Sequence, residues 1–337
     1  MVPLMAMDGD TTIFVEGLTR TFRAPVRKSG LKAAFTSILR REYKIIEAVR
    51  ELSFRIPSGQ LIGLIGPNGA GKTTTMKMLA GVLQPSAGEV SVLGHTPGRR
   101  ERDFLRSIAL LRGSQPIGGP AELTVTDNFH YRRLLYDISR SQFDDHLAEL
   151  AEILDLEELL GRQVRALSLG QRMRAGLALC LVHRPRVVFL DEPTIGLDAS
   201  AALAFRGFVG RYATRTGATI ILTSHYMTEV EALCSRVILI DKGTVRFDGN
   251  LHALAASLSP WKEIRVTPQP GRPTVRWGDF GEVVTTGADS VSIRIRRDLV
   301  PQVTAELLAR TELTDLSVVD PPLEVVLDRY YRTAPTS

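Results

Sequence analysis

The segment Gly66-Pro-Asn-Gly-Ala-Gly-Lys-Thr-Thr74 decides the fold of this chain. It follows a short apolar run at residues 60–65, typical of a buried strand, and it precedes helical apolar spacing over residues 73–83. A glycine-rich loop between a strand and a helix turns backbone N–H groups and the positive end of the helix toward phosphate. The sequence therefore predicts a nucleotide phosphate loop in an α/β protein.

Each residue of this loop is a candidate phosphate contact: Gly66, Pro67, Asn68, Gly69, Ala70, Gly71, Lys72, Thr73 and Thr74. We expect Lys72 to reach the β- and γ-phosphates of ATP, and the Thr73 hydroxyl to bind Mg²⁺. The alternative is a glycine-rich turn with a surface lysine. The flanking strand and helix argue against it.

Two adjacent acids, Asp191 and Glu192, end a second apolar run at residues 186–190. An unbroken apolar run is typical of a strand that is covered on both faces, so the acids fall at the carboxyl end of the sheet. There Asp191 is expected to hold Mg²⁺ and Glu192 to orient and polarise the attacking water. A solvated turn is the alternative for such a pair.

Composition narrows the class of protein. The 337 residues are 44% hydrophobic and 23% charged, as in an ordinary folded protein, and the net charge of +5 suits a membrane surface or phosphate ligands. No stripe of basic and aromatic residues predicts nucleic-acid binding. Cys180 and Cys234 are expected to be reduced core residues. No apolar run approaches the roughly 20 residues that span a bilayer, so a membrane role requires a partner.

The remaining pattern predicts two domains, at residues 1–255 and 256–337. The first contains a basic insert at about 23–46 and a helical subdomain at about 115–180. A hairpin is expected around Asp241-Lys-Gly243. A linker-like stretch begins near Pro268, and the small second domain mixes short strands with a helix at residues 299–309.

Five segments, in order, resemble the nucleotide-binding subunits of ABC transporters: residues 66–74, 167–171, 190–193, 196–198 and 224–225. The resemblance covers residues 13–250. It implies a P-loop NTPase cassette, with a mixed sheet and a helical subdomain, followed here by a small α+β domain. It also implies ATP hydrolysis in a dimer, expected to be of identical chains, that drives a separate transmembrane permease.

The same resemblance assigns Leu167-Ser-Leu-Gly-Gln171 to the partner's site, where Ser168, Gly170 and Gln171 would contact the γ-phosphate. Leu169 stands where the family usually has glycine. Ser168 is also a candidate helix cap, and the two interpretations are compatible. Asp198 matches the family's loop that crosses the dimer interface.

Three further residues take roles by resemblance. His225 would contact the γ-phosphate and hold the attacking water, although a lone histidine is more often structural. Gln115 would reach Mg²⁺ and sense the membrane partner. Phe22 would stack on adenine, and a half-buried core position is its alternative.

Residues 195–198 and 224–234 look like ATPase subunits of ABC-2 type exporters, among them drug, viologen and sodium exporters. The tail resembles the accessory domain of that branch. We therefore expect a subunit on the cytoplasmic face of the membrane that powers export of a drug, lipid or other hydrophobic compound. Two rivals are an import ATPase and a soluble cassette ATPase that acts on nucleic acid or ribosomes.

The basic insert supports a separate hypothesis. One helical face would carry its apolar residues, and basic residues crowd the ends. The residues are Leu31, Ala34, Phe35, Ile38 and Leu39 on the face, and Lys28, Lys32, Arg40, Arg41 and Lys44 at the ends. This segment would contact the anionic membrane surface or the permease. A solvated basic face on its own domain is the alternative.

Overall fold

The computed structural model describes residues 11–25, 43–114, 117, 119–269, 275–287 and 289–333. The chain divides into two compact units, Met1–Asp248 and Gly249–Ser337. The division falls slightly earlier than the domain boundary expected at residue 255. Gln115 and most of the basic insert, including its apolar face, lie outside the described residues.

The strands and helices of the described residues are numbered in chain order. The strands are β1 (Thr11–Pro25), β2 (Tyr43–Pro57), β3 (Leu61–Ile65), β4 (Ala87–Val92), β5 (Ile108–Arg112), β6 (Val187–Asp191), β7 (Thr219–Thr223), β8 (Arg236–Asp241), β9 (Thr244–Asn250), β10 (Trp261–Pro268), β11 (Glu282–Thr286), β12 (Val291–Arg296) and β13 (Leu313–Val319). The helices are α1 (Lys72–Leu79), α2 (Arg102–Ser107), α3 (Val125–Tyr136), α4 (Arg140–Leu154), α5 (Glu157–Leu160), α6 (Leu169–Leu181), α7 (Ala199–Thr216), α8 (Met227–Leu233), α9 (Leu251–Leu258), α10 (Val300–Arg310) and α11 (Leu323–Thr333).

The central sheet of the first unit has the strand order β5-β6-β7-β3-β8-β9, and β5, β6, β7, β3 and β8 run parallel. Every residue of β6 and β7 is buried, as the unbroken apolar run at residues 186–190 predicted for β6. Parallel strands end at the same edge of a sheet. The loops after β3, β6 and β7 therefore meet there, and they carry Gly66, Glu192 and His225.

An antiparallel sheet of order β2-β1-β4 completes the first unit. Strands β1 and β2 stay paired up to Pro25 and Tyr43, so both extend into the segment at about 23–46 that was predicted as an insert. The first and last residues of that basic segment therefore belong to this strand pair. Residues 23–25 and 43–46 carry charges and exposed apolar groups that hide strand alternation, yet backbone pairing keeps them extended.

Among the described residues, the segment predicted as a helical subdomain contains four helices, α3 to α6. Two aspartates end the first two of these helices. Asp137 and Asp155 end α3 and α4 with left-handed φ values of 56° and 51°. Next to this segment His183 stacks on Tyr136, with ring centroids 3.9 Å apart. Its Nε2 donates to the Ile108 carbonyl at 3.0 Å. Burial lowers the pKa of His183 to about 4, so its ring is neutral at pH 7.

Both cysteines are buried and free, as expected. Burial raises the pKa of Cys180 and of Cys234 to about 12, which keeps both thiols protonated. No helix in the described part of the chain combines the length and the apolar content needed to cross a bilayer.

The second unit contains an antiparallel sheet of order β11-β12-β10-β13. Ile264, Ile293 and Leu307 are fully buried in its apolar core, which places α10 against the sheet. Strand β10 and helix α11 were not predicted. Strand β10 runs through Pro268, which pairs with Leu313 at a register shift. Proline tolerates such an irregular strand end.

Candidate nucleotide site

The loop after β3 has the backbone that its glycines permit. Gly66, Gly69 and Gly71 have φ values of 152°, 79° and 105°. A Cβ atom on Gly66 would lie 2.0 Å from the Ile240 carbonyl oxygen, and one on Gly71 would lie 2.5 Å from the Ala48 oxygen. Both neighbours are backbone atoms that cannot swing away, so these two positions require glycine.

Lys72 begins α1 and points back into this loop. Its Nζ donates to the carbonyl oxygens of Gly66 at 2.7 Å and Pro67 at 3.0 Å. Burial lowers the pKa of Lys72, while the charges of Glu192 and Asp191 act in the opposite direction. The carbonyls and the two acids offset the desolvation of the ammonium group and hold it at the mouth of the loop.

Asp191 joins the phosphate loop to β7. Its Oδ1 accepts from the Thr73 hydroxyl at 3.1 Å and from the Thr223 hydroxyl at 2.9 Å. The Asp191 residue is 7% exposed. The structure thus brings together the two described side chains predicted to hold Mg²⁺. Hydroxyl and carboxylate oxygens are hard donors that suit this ion.

Glu192 adopts a left-handed backbone, with a φ of 51°. Its N–H donates to the Thr223 carbonyl at 3.1 Å and to the Thr223 hydroxyl at 3.0 Å. Its Oε1 lies 2.8 Å from Nε2 of His225, and both side chains are partly exposed. Such backbone strain persists where neighbours hold it, and here it aims the carboxylate at the histidine.

Two residues of this cluster were missed by sequence analysis. Thr223 bonds both to the Asp191 carboxylate and to the Glu192 backbone. Glu229, 3% exposed, accepts from the Ser224 hydroxyl at 2.7 Å, and that hydroxyl accepts from the Tyr226 N–H at 2.9 Å. The turn that carries His225 is thereby held at its base. An acid five residues after Ser224 was visible in the sequence, but nothing local showed that it is buried.

We predict that Thr223→Val lowers kcat for ATP about fivefold, since one lost hydrogen bond is worth about 1 kcal/mol. Valine keeps the side-chain shape but removes one hydrogen bond from the Asp191 carboxylate and one from the Glu192 N–H. Thr219→Val is the matched control, because Thr219 is equally buried in β7 and its hydroxyl accepts from Gly59 at 3.0 Å. Steady-state hydrolysis and thermal unfolding of both variants test this. Equal kcat values for the two variants would contradict it.

The predicted signature segment forms a helix cap. The Ser168 hydroxyl accepts from the Gln171 N–H at 3.3 Å, and the Gln171 side chain accepts from the Ser168 N–H at 3.0 Å. The cap interpretation is therefore confirmed. A Cβ on Gly170 would have its nearest contact 3.8 Å away, at Ala201, so the backbone there is open.

Asp198 and Phe22 lie apart from the bonded cluster. Asp198 is exposed and caps α7 by accepting from the Ala201 N–H at 2.8 Å. Phe22 is 37% exposed, and the Arg20 guanidinium carbon lies 4.8 Å from the ring centroid, so stacking on adenine stays a prediction beside the half-buried alternative. The hydrogen bonds given above join Thr73, Asp191, Thr223 and Glu192, and none of them reaches the signature segment or these two residues.

The fold and the arrangement of motifs define a P-loop cassette ATPase. A solved structure described as the ATP-binding subunit of an ABC transporter has the same fold. It covers 73% of this chain and 93% of its own at a TM-score of 0.60, with 22% identity. The model of the ABC transporter family matches residues 49–195, and that of the EvrA-like ABC transporter C-terminal domain matches residues 260–319.

Two relatives carry the comparison further. The chain is 35% identical over 214 residues to the ABC transporter ATP-binding protein NatA of Bacillus subtilis, covering 64% of this chain and 86% of NatA. It is 36% identical to the Nod factor export ATP-binding protein I of Rhizobium sp., and the match covers 61% of this chain and 67% of that protein. The chain belongs to the family of ABC transporter ATP-binding proteins. It is an ATP-hydrolysing subunit that dimerises and works with a transmembrane permease.

Proposed function

We propose that this subunit powers export through a separate ABC-2 type permease, at the cytoplasmic face of the membrane. The observation that carries the catalytic part is the contact between Glu192 and His225 beside the Thr73–Asp191 pair. Export is supported by the segments at 195–198 and 224–234 and by the likeness to the Nod factor export protein. The proposed cargo is a drug, lipid or other hydrophobic compound.

The phosphate groups of ATP are proposed to bind along residues 66–74. The open N–H groups of the loop and the start of α1 provide hydrogen bonds to phosphate oxygens, and Lys72 adds a positive charge. Phe22 is proposed to stack on adenine, and Gln115, which lies outside the described residues, is proposed to reach the metal. These assignments place the nucleotide across the carboxyl edge of the central sheet.

Thr73 and Asp191 are the described residues that would hold Mg²⁺. No group of three or more His, Cys, Asp and Glu side chains forms a metal cluster in the described ranges. Two protein oxygens nevertheless fit Mg²⁺, which usually keeps several waters and binds substrate phosphates. When bound, the ion neutralises charge that develops on the phosphates.

Hydrolysis is assigned to Glu192 and His225. The Glu192 carboxylate would accept a proton from water while the water oxygen forms a bond to the γ-phosphorus. The bond from that phosphorus to the bridging oxygen breaks, and ADP and inorganic phosphate are released. His225 would orient the water and contact the γ-phosphate, since its Nε2 already lies within hydrogen-bond distance of Glu192.

Ser168, Gly170, Gln171 and Asp198 are proposed to act in the site of the partner subunit, expected to be a second copy of this chain. The start of α6 adds its positive end to the Ser168 hydroxyl and the Gly170 N–H. The Ser168 hydroxyl accepts from the Gln171 N–H of its own helix, so its O–H is left to donate to a phosphate oxygen. Each chain would then be incomplete as an ATPase without its partner.

We predict that Ser168→Ala weakens ATP-driven dimerisation about tenfold, since one charge-assisted hydrogen bond is worth about 1.5–3 kcal/mol. The variant also loses a helix cap, at about 1 kcal/mol of stability. Ser139→Ala is the matched control, because Ser139 caps α4 in the same way, by accepting from Gln142 at 3.4 Å. Both variants should lose similar thermal stability, and only Ser168→Ala should lose dimer in sedimentation runs with ATP. Equal dimerisation would contradict the role in the partner's site.

The direction of transport needs its own experiment, because the cassette holds the ATP chemistry and not the cargo site. The chain would be co-purified with its permease and reconstituted so that the ATPase subunits face outward. ATP-driven uptake of a hydrophobic dye into the vesicles supports export, and ATP-driven release of preloaded dye supports the import alternative. Stimulation of ATPase activity by RNA or ribosomes instead of the permease would favour the soluble alternative.

A further inference from the structure

Leu169 connects two segments that are far apart in the sequence. A Cβ atom built on Gly196 would lie 2.8 Å from Cδ2 of Leu169, so this leucine packs directly against the Gly196 backbone. Gly196 has a φ of 76°. Where the family usually has glycine, this chain has an apolar side chain that fills the gap between the signature segment (residues 167–171) and the interface loop (residues 195–198).

The interface loop continues directly from the proposed catalytic acid. The Leu197 N–H donates to the Thr194 carbonyl at 3.0 Å, and the Ile195 N–H donates to the Glu192 carbonyl at 3.4 Å. A Cβ on Gly113 would lie 2.0 Å from that Glu192 oxygen. Residues 192–197 therefore form a tight turn that begins at Glu192, and Leu169 packs on Gly196 within this turn.

Each of the two segments also has a helix cap of its own. Ser168 bonds to Gln171 at the start of α6, and Asp198 bonds to Ala201 at the start of α7. Neither cap sets the distance between the two helix starts. A Cβ atom added to Gly170 would lie 3.8 Å from Cβ of Ala201, so Gly170 itself leaves space on that side. Leu169 is 38% exposed, so its side chain is partly accessible and partly packed.

We propose that Leu169 spaces the signature segment from the interface loop, so that Ser168, Gly170 and Asp198 face the partner subunit as one preformed surface. This inference rests on the proposed function, in which those residues act in the partner's site. In this proposal Leu169 is a positioning residue. It connects the turn at Glu192, in this chain's own site, to the groups that this chain contributes to the partner's site.

The test uses the purified full chain with Glu192→Gln in all samples, so that bound ATP is not consumed. The dimer dissociation constant is measured by sedimentation with ATP and Mg²⁺, and nucleotide affinity is measured at dilutions where the chain is monomeric. Leu169→Ala is expected to raise the dimer dissociation constant about tenfold, the effect of about 1.4 kcal/mol, and to leave the monomer's ATP affinity unchanged. Leu169→Met keeps the volume and should restore the parent value.

A second comparison isolates the contact. Gly196→Ala should displace Leu169 and raise the dimer dissociation constant, in addition to the backbone strain of a left-handed alanine. Gly217→Ala is the matched control for that strain, because Gly217 has a φ of 63° and no atom within 4 Å of its added Cβ. In the Leu169→Ala background, the effect of Gly196→Ala should shrink to that of the Gly217 control.

Two results would overturn the inference alone: a parent that dimerises while Leu169→Ala leaves the dissociation constant unchanged, or an equal effect of Gly196→Ala in both backgrounds. A parent that stays monomeric with ATP would overturn the proposed function and the inference together. Thermal unfolding of every variant identifies a loss of fold, and the Leu169→Met variant then decides the spacer role.

Discussion

Glu192→Gln is expected to lower ATP turnover at least about 100-fold, the usual contribution of a general base. Glutamine keeps the size of the side chain and a hydrogen bond to Nε2 of His225, which lies 2.8 Å from the carboxylate. It cannot accept the proton of the attacking water. The substitution leaves the proposed ATP-binding residues 66–74 unchanged, so the variant should accumulate as an ATP-bound dimer.

Phosphate release measures the turnover, and sedimentation with ATP measures the dimer. Glu231→Gln is the control, because Glu231 is an exposed acid of α8 just beyond the His225 turn. It should hydrolyse ATP at the parent rate. Normal turnover by Glu192→Gln would refute the assignment, and an inactive variant that fails to dimerise would refute the proposed trapping of ATP between two chains.

Lys72→Ala is expected to weaken ATP binding at least about 100-fold, since hydrogen bonds to charged groups are worth about 1.5–3 kcal/mol each. Lys72 is 5% exposed, and its ammonium group donates to the Gly66 and Pro67 carbonyls in the loop proposed to bind phosphate. Alanine removes the charge and keeps the helix start. The fold should survive because a desolvated charge is removed with its side chain.

Titration calorimetry with ATP and Mg²⁺ measures the affinity, and thermal unfolding checks the fold. Lys77→Ala is the matched control, because Lys77 lies on the same helix near its opposite end. It should bind ATP as the parent does. Lys72→Arg should not restore binding, since a planar guanidinium holds its donors in a rigid fork and cannot replace a compact ammonium group. Parent-like affinity in Lys72→Ala would contradict the phosphate assignment.

The parts of the fold that were predicted are those with local causes. Strands β3, β6 and β7 are continuous apolar runs, and chemistry-bearing residues follow each run directly, so their shared edge could be inferred. Charges and exposed apolar groups hid the ends of β1 and β2. Strand β10 was hidden by the proline at its end, because its extended form depends on pairing with β12 and β13.

The sequence by itself determined the phosphate loop, the order of the motifs and thus the family, because glycine torsions, apolar periodicity and adjacent acids act over a few residues. Only the tertiary structure decided that Thr223 holds both Asp191 and the Glu192 backbone, that Glu229 is buried under Ser224, and that Leu169 packs on Gly196. Asp191 and Thr223 are hydrogen-bonded to each other although they are 32 residues apart along the chain. Such contacts arise from packing of the whole sheet, and no local pattern encodes them.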